Sequence, residues 1–329
     1  MARVVVAFDK FRSTATATDL VQSTLTAARA AGHEADGVPL ADGGEGSLDV
    51  LGGPNKRTRV SDALGDPVEA GWRLDGRDAF IEMSAASGLS VVGGPEENDP
   101  LAADTFGTGE LISTAIELGA RRIHVLLGGS ATTDGGWGAM RAMPPAPRLK
   151  EIDLVVACDV RTSFTDAATV FGPQKGATSA QVKLLTRRLE RLVQVYQETY
   201  GVDVSTIPGA GAAGGLAGGL FAVGARIESG FEVLAERAEL DQLLTGADLA
   251  VTGEGFLDAE SFNGKVVGGV AAWAAASDVP VLAVVGDYET DIVIPDNIEV
   301  VSLVQRFGLE AAYERTLDLV ADVVCEHLA

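Results

Sequence analysis

The sequence predicts an α/β protein of two domains, and three observations carry the prediction. At both ends of the chain, short apolar runs stop in glycine-rich polar turns that open helical stretches, as strands buried on both faces of a parallel sheet do. Over residues 56–84 the apolar period changes to two, with hairpin signals between the runs. The length of 329 residues also exceeds what a single hydrophobic core ordinarily organises.

Residues 4–8 form a near-continuous apolar run that ends in Asp9-Lys10-Phe11-Arg12-Ser13-Thr14, and a helix is expected over 17–31, stopped by Gly32. A second strand at 38–40 runs into Ala41-Asp42-Gly43-Gly44-Glu45-Gly46-Ser47 and another helix. Ligands of open α/β sheets gather beyond the carboxyl ends of the strands, which makes Asp9, Arg12, Asp42 and Glu45 candidates for one cleft. Strands at 57–60, 68–74 and 79–83, separated by Gly-Asp-Pro and Asp-Gly turns, read as an antiparallel meander and place a domain boundary near Asn55. A helix over 109–118 follows.

The stretch 121–138, RRIHVLLGGSATTDGGWG, stands at the centre of the chain. Ile123, Val125, Leu126 and Leu127 make a buried strand, and two glycines end it. Ser130, Thr132, Thr133 and Asp134 then lie between glycine pairs, so amides, hydroxyls and a carboxylate are offered where bare backbone approaches a ligand closely. The same residues would also serve as helix caps, and the stretch alone leaves both readings open.

Another strand at 154–157 ends in Cys158-Asp159, and Phe171-Gly172-Pro173-Gln174-Lys175-Gly176-Ala177 precedes a long helix over 179–200. Lys175, between glycines at a helix start, is placed to reach an anion. The run 209–215, GAGAAGG, is a small-residue turn whose simpler reading is close helix packing. Parallel-strand patterning returns after Leu240, with strands at 249–252, 281–285 and 300–303 and a closing amphipathic helix over 310–328. The first of these ends in Gly253-Glu254-Gly255-Phe256-Leu257-Asp258, followed by Asn263-Gly264-Lys265. Glu254 and Asp258 are suited to Mg²⁺ and Lys265 to a phosphate, although Glu254 also reads as a helix-start carboxylate. The expected organisation is a Rossmann/flavodoxin-like parallel-sheet domain drawn from both chain ends, 1–55 and 241–329, with a mixed-sheet α/β domain at 56–240 inserted.

A net charge of -22 repels nucleic acid and anionic lipid, and no apolar run approaches a membrane span. Cys158 and Cys325 lie far apart without metal-ligand spacing, which fits a reducing compartment. The first strand is expected to begin at once, with no signal region expected before it. The expected location is the cytoplasm. A G-x-G-x-x-G turn does not follow the first strand, which disfavours a nicotinamide dehydrogenase.

Taken in order, the motifs ADGGEG (41–46), EMSAASGL (82–89), GTGE (107–110), GGSATTDGG (128–136), ACDV (157–160), FGPQKGA (171–177), GAGAAGG (209–215) and TGEG (252–255) resemble bacterial glycerate kinase of the first type. The resemblance implies ATP-dependent phosphorylation of D-glycerate, commonly at the 2-hydroxyl, with Mg²⁺ and a two-domain α/β structure whose cleft lies between the domains. Such a reaction must hold a triphosphate, neutralise the moving group and accept a proton. In that light Asp134 is the first candidate base and Asp42 the second, with Arg12 as the fork for glycerate's carboxylate. Binding of substrate and nucleotide falls to Asp9, Gly43, Gly44, Glu45, Ser87, Thr108, Gly129, Ser130, Thr132, Lys175, Gly211 and Lys265. Asp159, Glu254 and Asp258 are the candidate metal ligands. The expected partners are a small hydroxy acid and ATP, with no nucleic acid and no membrane, and a homodimer is allowed.

The chain also departs from the family pattern. The usual PDSFKGS reads Phe8-Asp9-Lys10-Phe11-Arg12-Ser13-Thr14, with Arg12 for lysine and Ser13 for glycine. The usual TND reads Thr132-Thr133-Asp134, and D-x-Q-[ST] reads Asp258-Ala259-Glu260-Ser261. Residues 140–151, with Pro144, Pro145 and Pro147, are shorter than the family's excursion, and Arg161-Thr162-Ser163-Phe164 replaces its NPL-type continuation. These departures leave two alternatives beside the glycerate kinase: a kinase for another small hydroxy acid, and a non-catalytic nucleotide-binding descendant.

Overall fold

The computed structural model describes residues 1–262 and 264–329; Asn263, singled out above, lies outside the described residues. In chain order the strands are β1 (Arg3–Phe8), β2 (Glu34–Pro39), β3 (Lys56–Ser61), β4 (Pro67–Asp75), β5 (Asp78–Glu82), β6 (Arg122–Leu126), β7 (Asp153–Ala157), β8 (Arg226–Glu228), β9 (Leu249–Gly253), β10 (Phe256–Leu257), β11 (Val281–Val285), β12 (Asp287–Tyr288) and β13 (Ile298–Ser302). The chain divides into two compact units, Met1–Asp42 with Ser229–Ala329, and Gly43–Glu228.

The terminal unit is a five-stranded sheet in the order β13-β11-β9-β1-β2, every neighbour parallel. Counted along this unit alone the order is flavodoxin-like, and its switch point falls between β1 and β9. The apolar run of β1 is continuous because both of its faces are covered. Val4, Val6 and Phe8 pack with Leu20 and Leu25 of the helix Ala17–Ala30 and with Val320 and Val324 of the helix Thr316–Leu328. Val5 and Ala7 point the other way, onto Phe231 and Val270 of the helices Gly230–Arg237 and Val266–Ala276. Each fully buried side chain of this size contributes about 1.5–3 kcal/mol of apolar transfer. Thr16 caps the first helix by accepting from the amide of Asp19, and Gly32 leaves it at φ +90°.

The closing helix expected over 310–328 is instead two, Leu309–Glu314 and Thr316–Leu328, broken at Arg315, whose φ of -126° leaves the helical region. The amphipathic period runs through the break, so the pattern could not register it.

The inserted unit is a six-stranded mixed sheet, β3-β4-β5-β6-β7-β8. β3, β4 and β5 form the antiparallel meander, whereas β5 through β8 are parallel. Trp72 of β4 is buried with Leu111, Ile123 and Leu216. A second core gathers Phe164, Leu185, Leu189 and Tyr196 beneath the helix Ser179–Tyr200, whose start carries a capping box of Thr178 and Gln181.

The units part at Asp42/Gly43 and Glu228/Ser229, whereas the sequence pattern changes near 55 and 240. The turn after Asp42 is anchored in the inserted unit, because Glu82 Oε1 accepts the amide of Leu48 at 2.7 Å. At the other end β8 extends the inserted sheet, and Phe231 already belongs to the terminal core. Among the described residues no helix is long and apolar enough to cross a membrane.

Candidate active site

In the terminal unit the polar residues collect where β1 and β9 end. Asp9 follows β1, and its amide donates to Gly253 O at 3.1 Å, which fixes it beside the Gly253-Glu254 turn. Burial pushes the Asp9 carboxyl up to about 6, with the charge of Asp42 adding to the rise and Arg12 opposing it. Glu254 is 9% exposed and its carboxyl is pushed up to about 7 by burial, which outweighs a hydrogen bond from Ser261 and the charge of Lys265. Among the described residues its buried Oε1 has no hydrogen-bond partner, an expensive arrangement unless a cation or donor arrives.

Gly253 has to be glycine for this edge to close, since a Cβ there would lie 1.8 Å from Val284 O. Arg12 stands on the adjoining turn, its amide close to Gly255, and its guanidinium has no hydrogen bond or ion pair among the described residues. Ser13, in the place of the family's glycine, is at φ +67°.

Asp258 is turned to local work, its Oδ1 accepting from the amides of Glu260 and Ser261 at 2.9 and 3.0 Å. Lys265 lies 3.9 Å from Asp258 Oδ1 and 3.7 Å from Glu260 Oε2, so its ammonium is weakly held and partly exposed.

In the inserted unit the equivalent edge is built by two glycine turns. A Cβ on Gly128 would lie 2.8 Å from Gly44 Cα, and one on Gly129 2.8 Å from Glu45 Oε2, so Gly43-Gly44-Glu45 packs directly on the central turn. The segment 84–89 joins them, with Leu89 N donating to Gly129 O at 2.7 Å and Ala131 N to Ser87 O at 2.9 Å. Ser87 and Thr108 are fully buried and bond each other at 2.8 Å, which makes them a brace rather than a pair of ligand contacts. Thr132 is also fully buried, and its Oγ1 has no partner among the described residues.

Asp134 differs most from its expected role as base. Its Oδ2 accepts from Thr105 N, Thr105 Oγ1 and Gly138 N at 3.0, 2.8 and 2.8 Å, and its Oδ1 from Gly136 N at 3.1 Å. Burial raises its pKa and these four bonds oppose the rise. With three donors on Oδ2 and one on Oδ1, the carboxylate clamps the turn to the helix Phe106–Glu117, a holding role that an open base would not need.

Lys175 is likewise internal. At 2% exposed, its Nζ donates to Ser130 Oγ at 2.8 Å and Thr132 O at 2.6 Å, and burial lowers its pKa to about 7 against the attraction of Asp134. It holds the turn from within. Gly211 is packed on the 162–163 backbone, where a Cβ would lie 2.2 Å from Ser163 O. The run 209–215 serves close packing, because Gly214, at φ +66°, leaves room for Thr132 O only 2.0 Å from where a Cβ would stand.

The three candidate metal ligands divide between the units, Asp159 in the inserted one and Glu254 with Asp258 in the terminal one. Among the described residues no group of three or more His, Cys, Asp or Glu is gathered to hold a metal.

Sequence reasoning missed four contributors. Glu82 holds the 43–48 turn, Asn98 Nδ2 bridges Ala131 O and Lys175 O, and Thr105 anchors Asp134. Asp287 Oδ1 accepts from Tyr288 N, Ser302 Oγ and Gln305 Nε2 at the end of β11. Asp287 had a signal, the same apolar run and polar turn that marked Asp9 and Glu254. Glu82 opens the motif EMSAASGL but was given no role there, and Asn98 and Thr105 had no signal, since their partners are remote in sequence.

The glycerate kinase family profile matches residues 4–146 and 144–324. The chain belongs to the glycerate kinase family. The two matched stretches overlap at residues 144–146, within the proline-bearing segment 140–151. Among curated family proteins, the Escherichia coli K12 glycerate 2-kinase is 35% identical, with 94% of this chain and 90% of that protein covered. The Haemophilus influenzae glycerate kinase is 35% identical over 91% and 90%, and that of Bacillus subtilis 34% over 88% and 86%. A crystal structure of a Salmonella typhimurium LT2 protein provisionally named glycerate kinase 2 superposes with a TM-score of 0.84 at 32% identity, covering 99% of this chain and 98% of that one. Membership of this kinase family and the two-domain α/β fold are therefore established together.

Proposed function

We propose that the protein transfers the γ-phosphoryl group of ATP to the 2-hydroxyl of D-glycerate, releasing 2-phosphoglycerate and ADP. The observation that carries the reading is the pair Asp9 and Glu254, two carboxyls of raised pKa side by side at the β1/β9 switch point of a glycerate kinase family chain. In place of Asp134, the proposed base is Asp9 together with Asp42, since a carboxylate titrating near 6 is ionised at neutral pH yet basic enough to accept the hydroxyl proton. Arg12, with its unpaired fork, takes the carboxylate of glycerate.

Glu254 suits Mg²⁺, because its orphaned Oε1 gains the partner it lacks. When bound, the ion neutralises triphosphate charge; Lys265 adds a mobile ammonium for the phosphates. The amides around Gly43, Gly44, Gly129 and Ser130 form the phosphate platform, and Asp134, Lys175, Ser87 and Thr108 keep it rigid. A cytoplasmic location is consistent with two unpaired cysteines.

A coupled ADP-release assay with MgATP and D-glycerate, with L-glycerate and acceptor-free controls, tests the activity, and ³¹P NMR of the product assigns the hydroxyl. Protein that binds MgATP but releases no ADP with D-glycerate refutes the proposal. Arg12 in the lysine's place favours one second reading, a related hydroxy acid with a differently spaced carboxylate, which a panel of hydroxy acids in the same assay resolves.

A further inference from the structure

The central turn contributes to a second feature, a cavity of about 430 Å³ lying wholly in the inserted unit. Thr133, Asp134, Trp137 and Gly138 form one wall, and the helix Ser179–Tyr200 faces them with Arg187, Arg188 and Arg191. Spacings of three and four residues put these guanidiniums together on the helix surface. In a chain with 47 acidic and 25 basic residues, three adjacent arginines would ordinarily be neutralised by carboxylates.

Among the described residues, none of the three forms an ion pair. Arg188 donates to Leu101 O at 2.8 Å, Arg191 to Gln194 Oε1 at 2.6 Å, and Arg187 has no hydrogen-bond partner. The lining also holds two carboxylates, Asp134, tied down by four uncharged donors, and Asp104, whose Oδ1 accepts the amide of Phe106 at 2.9 Å. Three guanidiniums against at most two carboxylates leave the lining with an excess of positive charge, concentrated on one helix.

The rest of the lining is apolar. Pro100, Leu101 and Leu192 share the lining with Trp137, a large ring left 41% exposed although it stacks on Tyr196 at 6.5 Å. Three cationic forks beside an exposed indole and aliphatic walls match an anion attached to a flat ring, and the volume lies within the range of small-molecule sites. Glycerate has no ring and would leave the apolar wall wet.

We propose that this cavity binds a phosphate monoester that carries a planar ring system, either a nucleoside monophosphate or an aryl phosphate. Titration calorimetry on the full chain uses AMP, 1-naphthyl phosphate and inorganic phosphate as probes. Expected is saturable binding of at least one ring phosphate at one per chain, at least tenfold tighter than inorganic phosphate. That affinity should fall at least tenfold in both Arg187→Glu and Arg191→Glu, whose exposed side chains lie outside the proposed catalytic set. Lys183→Glu, on the same helix but outside the lining, should change it less than twofold. Tighter binding of AMP identifies the nucleotide source, and tighter binding of 1-naphthyl phosphate the other. Absence of saturable binding by either ring phosphate, unchanged affinity in the arginine variants, or an equal loss in Lys183→Glu overturns the proposal.

Discussion

Replacing Asp134 with asparagine separates a structural clamp from a catalytic base. The carboxylate accepts four hydrogen bonds, three at Oδ2 and one at Oδ1. Bonds to an ionised acceptor contribute about 1.5–3 kcal/mol each, and neutral ones about 1 kcal/mol. Asparagine has a single acceptor oxygen. Its better orientation places that oxygen at the Oδ2 position, keeps three bonds in weakened neutral form, and points an amide nitrogen at the Gly136 amide, where donor meets donor. Neutralisation returns part of the desolvation that raises this carboxyl's pKa. The net loss is about 2–4 kcal/mol, and at about 2–4 °C per kcal/mol for a unit of this size the melting temperature should fall roughly 5–15 °C. Thermal unfolding followed by far-ultraviolet circular dichroism measures this. A variant that melts within about 2 °C of the wild type while losing turnover would refute the clamp and return Asp134 to the role of base.

Three further outcomes are expected. Because folding raises the Glu254 pKa to about 7 from 4.5, its ionised form opposes folding: the penalty is absent below pH 4.5, grows as pH rises, and is complete above about 7. Glu254→Gln should therefore stabilise the protein at pH 8 by about 1–3 kcal/mol and little at pH 4.5, as read by urea unfolding at the two values; equal effects at both would contradict the linkage. Gly214→Ala should cost more than about 3 kcal/mol or prevent folding, since its methyl would meet Thr132 O at 2.0 Å in a backbone at φ +66°; a soluble variant with native melting would contradict the packing. Ser13→Gly should stabilise by about 0.5–1 kcal/mol, because Ser13 holds φ +67° and glycine adopts it without steric cost; chemical denaturation reads the change, and a loss would show that the serine hydroxyl matters more than the backbone.

Elements with a local signal were legible in the sequence. The helix Ser179–Tyr200 has its cap at Thr178, its period and its stop at Gly201 in one consecutive stretch, and its limits are as expected. The three meander strands follow from period two and their turns. Asp9 and Glu254 were marked by apolar runs ending in polar turns, a rule that reports position at a sheet edge without reference to distant residues. Lys175 and Asp134 were recognised as special but assigned the wrong surroundings. A lysine between glycines looks like an anion contact, and nothing near it reveals that Ser130 and Thr132, over forty residues earlier, receive its ammonium. Thr105, which ties down Asp134, is twenty-nine residues away and has no pattern of its own.

What the sequence determined by itself is the alternation of buried runs, turns and helices, the change of period that separates a mixed sheet from a parallel one, and an ordered set of motifs pointing to one family. These are local quantities, set by side-chain size, polarity and spacing along the chain. The tertiary structure alone decided the strand order that puts the switch point between β1 and β9, and hence Asp9 beside Glu254. It also decided which polar groups satisfy each other inside the protein and which remain to meet a ligand. Burial and hydrogen-bond partnership are properties of residues brought together from distant parts of the chain, and those two properties separate the clamps Asp134 and Lys175 from the carboxyls of Asp9 and Glu254.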